Sequence, residues 1–70
     1  MLVVTPADVG NIIRDRRTQL EMSQSALGAA IGMSRQWIVR FENGHADTAT
    51  LEHLVRLTHA LHLDIEITQS

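Results

Sequence analysis

The apolar positions of this 70-residue chain fall into four stretches of helical period and a final one that alternates. Residues 1–4 come first, an apolar run too short for a helix and closed by Thr5-Pro6, which reads as a frayed terminus or a small edge strand. Thr5, Pro6 at the first helical position and Asp8 three residues beyond Thr5 predict a helix start. Val9, Ile13 and Leu20, with Ile12 at the margin, stripe that helix over residues 6–21, while Arg14, Arg16 and Arg17 lie around its other faces.

Ser23 then predicts the cap of a second helix over residues 24–31. Ala26, Leu27, Ala30 and Ile31 are its expected buried face, and Gly28, Ala29 and Ala30 keep it slim enough for a close helix crossing. Gly32 fits a left-handed turn, Met33 is expected to tuck inward, and Ser34 caps a third helix ended by Gly44. In that helix Ile38 and Phe41 face the core, whereas Arg35, Gln36, Val39, Arg40 and Asn43 face outward. Residues 45–49 read as a polar loop with Asp47 or Thr48 as the next cap. Leu51, Leu54, Val55, Leu57 and Leu61 give a broad apolar stripe over 49–61, the helix expected to close the core.

The period changes in Leu63-Asp64-Ile65-Glu66-Ile67, where apolar and acidic residues alternate as in a half-buried strand. A lone strand needs a partner for its backbone groups. The simplest partner is the same strand of a second copy, which makes Leu63, Ile65 and Ile67 dimerisation residues over 63–68. Pairing with Leu2–Val4 of the same chain is the alternative.

Two consecutive short helices joined by a tight turn, the second with a polar and basic outer face, are the layout of a helix-turn-helix over residues 24–43. The fold class expected is therefore all-α: four main helices in one domain plus the short C-terminal strand. A net charge of −2 looks unsuited to DNA, but the charge is uneven. Residues 1–41 hold five Arg against Asp8, Asp15 and Glu21, whereas residues 42–70 hold Arg56 against Glu42, Asp47, Glu52, Asp64 and Glu66. All six basic residues are Arg, the side chain whose fork fits phosphate and guanine; a solvated face of mixed charge is the plainer reading.

Composition narrows the remaining classes. With 44% hydrophobic residues but one Trp and one Phe, the core must be aliphatic, and a core this small gains from oligomerisation. The absence of Cys excludes disulfides and thiolate metal sites. No apolar run has membrane-spanning length and no signal-peptide pattern opens the chain, so a cytoplasmic protein is expected. His45, His53, His59 and His62 lack a dedicated ligand spacing and read as surface histidines, so no metal or other cofactor is expected. No nucleophile–base order, phosphate loop or paired-acid cleft points to an enzyme.

The stretch MSQSALGAAIGMSRQWIVRFENG resembles the phage-repressor-like (XRE) helix-turn-helix family, through its Ser-Gln opening, Gly28, Gly32, Ile38 and the Glu-Asn-Gly ending. A compact domain of this kind followed directly by an alternating strand is similar to the HipB-type antitoxins. That resemblance implies a homodimer that represses its own operon through palindromic operator DNA and binds a HipA-like kinase toxin. It implies Gln24 at a phosphate, Arg35, Gln36 and Arg40 as major-groove readers, Ser34 and Val39 at the margin, and Asn43 near a phosphate, with Arg14 or Arg16 as weaker phosphate candidates. It also implies an internal ion pair between Arg17 and Glu42. Arg16 departs from the family pattern, where an aliphatic residue is common, and Trp37 stands where a small polar residue is common. Trp37 is read either as a flank of the core near Phe41 or as an indole against the DNA backbone or a partner. A stand-alone phage-type or restriction-modification controller, and a protein-interaction module that binds no DNA, are the other functions open to this sequence.

Overall fold

The computed structural model describes residues 5–64. Thr5 opens the first helix, α1 (Pro6–Gln19), by a reciprocal cap. Its hydroxyl accepts from the Asp8 amide at 3.1 Å, and the Asp8 carboxylate accepts from the Thr5 amide at 3.1 Å. α1 stops two residues short of the sequence expectation because Glu21 takes a left-handed conformation (φ 54°) that turns the chain toward α2.

α2 (Gln24–Ile31) and α3 (Arg35–Glu42) are each opened by a serine hydroxyl. A 3-10 turn, Ala46–Thr48, leads to α4 (Leu51–Leu61). The four-helix, all-α architecture is the one the apolar periods predict. The cap of α4 is not: Thr50, rather than Asp47 or Thr48, accepts from the His53 amide at 3.3 Å. Asp47 and Thr48 lie within the 3-10 turn, where the chain is already bonded to itself.

Ile13, Leu27, Ile31, Ile38, Phe41, Leu57 and Leu61 form one buried cluster contributed by all four helices. Val9, Leu20, Met22, Met33, Leu54 and Leu63 pack around it. Four expected core positions lie elsewhere. Ala26 and Ala30 are exposed, and so are Leu51 (66%) and Val55 (44%). The Leu54/Leu57/Leu61 line already fills the side of α4 that faces α1 and α2, so a broader stripe has nothing to cover its flank.

Two glycines make the close crossings possible. A Cβ on Gly10 would collide with the Phe41 carbonyl, and one on Gly28 would lie 2.7 Å from the Met33 carbonyl. α1 and α2 therefore approach the α3 backbone more closely than any larger residue allows.

Among the described residues there is no strand. Leu63, the expected first residue of one, instead closes α4: His62 is left-handed (φ 55°) and the Leu63 amide donates to the Thr58 carbonyl at 2.9 Å. The remaining dimerisation residues, Ile65 and Ile67, and the segment 1–4 lie outside the described residues.

Candidate nucleic-acid interface

α2, the Gly32 turn and α3 make a rigid corner. The Ser23 hydroxyl accepts from the Ala26 amide at 3.0 Å and the Ser34 hydroxyl from the Trp37 amide at 3.1 Å. Gly32 sits at φ 76°, where a Cβ would be strained, and lets the Met33 amide return to the Gly28 carbonyl at 2.8 Å. α3 then buries Ile38, Phe41 and Glu42 and turns its other side outward.

That outer side carries Ser34, Arg35, Gln36, Arg40 and Asn43, all exposed, with Val39 half-buried between them. Among the described residues neither the Arg35 nor the Arg40 side chain has a hydrogen-bond or ion-pair partner. Two guanidinium forks and a Gln amide are thus held on one helix with their donors unengaged. Forks of this kind match guanine O6 and N7, and the amide matches adenine N6 and N7. α3 has the dimensions of an element that fits a DNA major groove.

Arg17 is bound inward. It meets Glu42 through both arms of its fork, Nε to Oε2 at 2.7 Å and Nη2 to Oε1 at 2.9 Å. Its Nη1 also donates to the Met22 carbonyl at 2.8 Å. The pair is removed from solvent, with side-chain exposure of 12% for Arg17 and 2% for Glu42. Hydrogen bonding to Glu42 raises the Arg17 pKa, with desolvation opposing it and the Glu42 charge adding to it. The pair ties the end of α1 to the end of α3.

Arg16 and Arg56 each bond a distant backbone carbonyl that nothing in the local sequence announces. Arg16 Nε donates to the Leu61 carbonyl at 2.9 Å and its Nη1 to Gln19 at 3.3 Å. Arg56 reaches the Ile31 carbonyl at 3.3 Å while pairing with Glu52 at 2.6 Å. Each satisfies a carbonyl at a helix C-terminus, where a cation is favoured. Arg14 remains exposed beside Asp15 at 3.8 Å.

Gln24 is half-buried at the start of α2, and its amide donates to Glu42 Oε1 at 3.3 Å. Its side chain therefore belongs to the Arg17–Glu42 cluster in this structure. Trp37 stacks on Phe41 with ring centroids 5.2 Å apart, so its indole flanks the core. It also borders an open cleft of about 180 Å³ between α3 and the following loop, with Ser34, Arg40, His45 and Thr48 on the cleft's polar sides. Among the described residues no His, Asp and Glu side chains gather into a metal-type group.

With this geometry, a family model for helix-turn-helix proteins matches residues 13–67, most of the chain. The chain belongs to the helix-turn-helix family. Among curated proteins it is 36% identical over 56 residues to a protein of Thermoplasma volcanium named as an HTH-type transcriptional regulatory protein, covering 80% of this chain and 17% of that one. It is 34% identical over 50 residues to (S)-2-hydroxypropylphosphonic acid epoxidase of Streptomyces wedmorensis, covering 71% of this chain and 25% of the epoxidase. The chain thus spans a quarter or less of the curated relatives it matches.

Solved structures divide in the same way. A HipB–O4 20mer complex superposes with a TM-score of 0.84 at 26% identity, covering 100% of this chain and 97% of HipB. A cobalt form of HppE in complex with substrate gives 0.82 at 28% identity, covering 87% of this chain and 34% of that one. The helix-turn-helix fold here corresponds to nearly all of HipB but to about a third of HppE, whose remainder has no counterpart in these residues.

Proposed function

We propose that this helix-turn-helix domain is a sequence-specific DNA-binding repressor of the HipB type, working in the cytoplasm and without catalytic activity. The observation that carries the reading is the outer side of α3, which holds Arg35, Gln36 and Arg40 exposed and unengaged on a helix locked by the Arg17–Glu42 pair. The match over nearly the whole of HipB, solved as a complex with a 20mer, supports it.

In this reading α3 enters the major groove. Arg35 and Arg40 read guanines, Gln36 reads an adenine, and Ser34 and Val39 contact the groove's margin. Asn43 and Gln24 hold phosphates, Gln24 by turning one donor outward from Glu42. Two copies joined through Leu63, Ile65 and Ile67 read a palindrome whose half-sites lie about 34–36 Å apart. The physiological role is that of an antitoxin repressing its own operon and binding a HipA-like kinase toxin, with the acidic C-terminal half as docking face.

The test is fluorescence anisotropy of the purified protein on duplex DNA from upstream of its own gene, titrated with salt. Tight binding that falls linearly on a log–log salt plot is the expected result, because Arg–phosphate contacts release counterions. Binding insensitive to salt contradicts the reading. A pull-down from the native host tests the antitoxin role separately: a kinase-fold protein near stoichiometry supports it, and an eluate of this protein with DNA alone removes it.

A further inference from the structure

Trp37 lies on α3 between Gln36 and Ile38 and meets two rings. One face stacks on the buried Phe41, with planes 27° apart. The indole also meets the His53 imidazole, centroids 4.9 Å apart and planes tilted by 57°. His53 is itself pinned. Its Nδ1 accepts the Thr50 amide at 3.0 Å, while its own amide donates to the Thr50 hydroxyl at 3.3 Å. An imidazole thus performs the return leg of a capping box, a role more often filled by Glu or Gln. Its ring cannot turn away from Trp37 without opening the first turn of α4.

Resting on the DNA-reading role of α3, we propose that His53 is a positioning residue for that reading. It holds Trp37 in place from the α4 side, as Glu42 is held by Arg17 from the α1 side. Trp37 lines the cleft between α3 and the loop bearing His45 and Thr48, as does Arg40 one turn further along the same helix. The seating of the indole therefore sets the spacing between the reading face of α3 and that loop. Without the imidazole, the indole is free to tilt into the space it leaves, and Gln36 and Arg40 lose their fixed offset from the loop. The chain has a single Trp, so its fluorescence reports the surroundings of this one indole.

Two substitutions separate the ring from the cap. His53→Gln keeps an acceptor suited to the capping box and removes the ring. His53→Phe keeps a ring beside Trp37 and removes the acceptor. For the full chain, His53→Gln is expected to melt near the wild-type temperature, to red-shift the Trp37 emission and to weaken binding to upstream duplex DNA about tenfold. His53→Phe is expected to melt earlier but, measured below its transition, to recover most of the lost affinity. His53→Gln binding with wild-type affinity overturns the proposal, as does His53→Phe binding no better than His53→Gln. A wild-type chain that binds no duplex DNA removes the reading itself, and the positioning role with it. Wild-type binding that is lost in Arg35→Ala keeps the reading whatever His53→Gln does.

Discussion

The arginines of α1 and those of α3 carry the same charge and the same fork, yet they stand in opposite situations. Arg17 has Nε, Nη1 and Nη2 all engaged and is 12% exposed, and Arg16 is bonded to the end of α4. Arg35 and Arg40 are exposed, with no protein partner among the described residues. The difference arises from where each helix meets its neighbours. α1 ends against the tail of α3 and the tail of α4, where carboxylate and carbonyl oxygens converge. Among the described residues the outer side of α3 meets no other helix. Counting basic residues would overstate the groups available to DNA; their hydrogen-bond state is what distinguishes scaffold from reading face.

The sharpest way to break this comparison is Arg17→Ala. It leaves Glu42 buried with only Gln24 donating to it, and removal of one partner of a buried pair costs about 3–5 kcal/mol. A large drop in melting temperature by circular dichroism is expected. Arg17→Lys should recover part of it, since an ammonium restores the charge but not the two-armed geometry.

Next in size are Arg35→Ala and Arg40→Ala. Each should leave the melting temperature within about 3 °C of wild type, because exposed side chains without partners contribute within about 0.5 kcal/mol. Each should weaken specific DNA binding by about 1.4–2.8 kcal/mol, roughly tenfold to a hundredfold, and relax discrimination at one base pair. Arg16→Ala is expected to cost about 1–2 kcal/mol through the lost bond to the Leu61 carbonyl, with binding by the folded protein preserved. Arg56→Ala should be smallest, about 0.5 kcal/mol or less, since its pair with Glu52 is exposed and its bond to Ile31 is long.

The same division explains what could be read from the chain alone. Features set by neighbours in sequence were legible: the Thr5, Ser23 and Ser34 caps, the left-handed Gly32 and the inward Ile38 and Phe41. The outer positions of α3 followed from helical period. Features set across the fold were not. A bond from Arg16 to a carbonyl 45 residues away leaves no local mark, and the close approach at Gly10 reads as an ordinary weak helix position. Leu51 and Val55 look like core because hydropathy does not reveal how wide a face the neighbours can cover. The α4 cap was misplaced because three hydroxyl or carboxylate residues compete within four positions, and the 3-10 turn decides among them. His53 was read as a solvated surface histidine, since neither its cap nor its contact with Trp37 has a sequence signature.

The most direct test of the account measures two quantities on three proteins: melting temperature, and anisotropy-detected affinity for upstream duplex DNA below each transition. A double dissociation between Arg17→Ala and Arg40→Ala is expected, relative to wild type. Arg17→Ala should melt early and keep most of its affinity while folded, whereas Arg40→Ala should melt normally and lose affinity tenfold or more. Arg17→Ala melting normally while losing DNA, with Arg40→Ala melting early, would exchange the scaffold and reading roles and contradict the account.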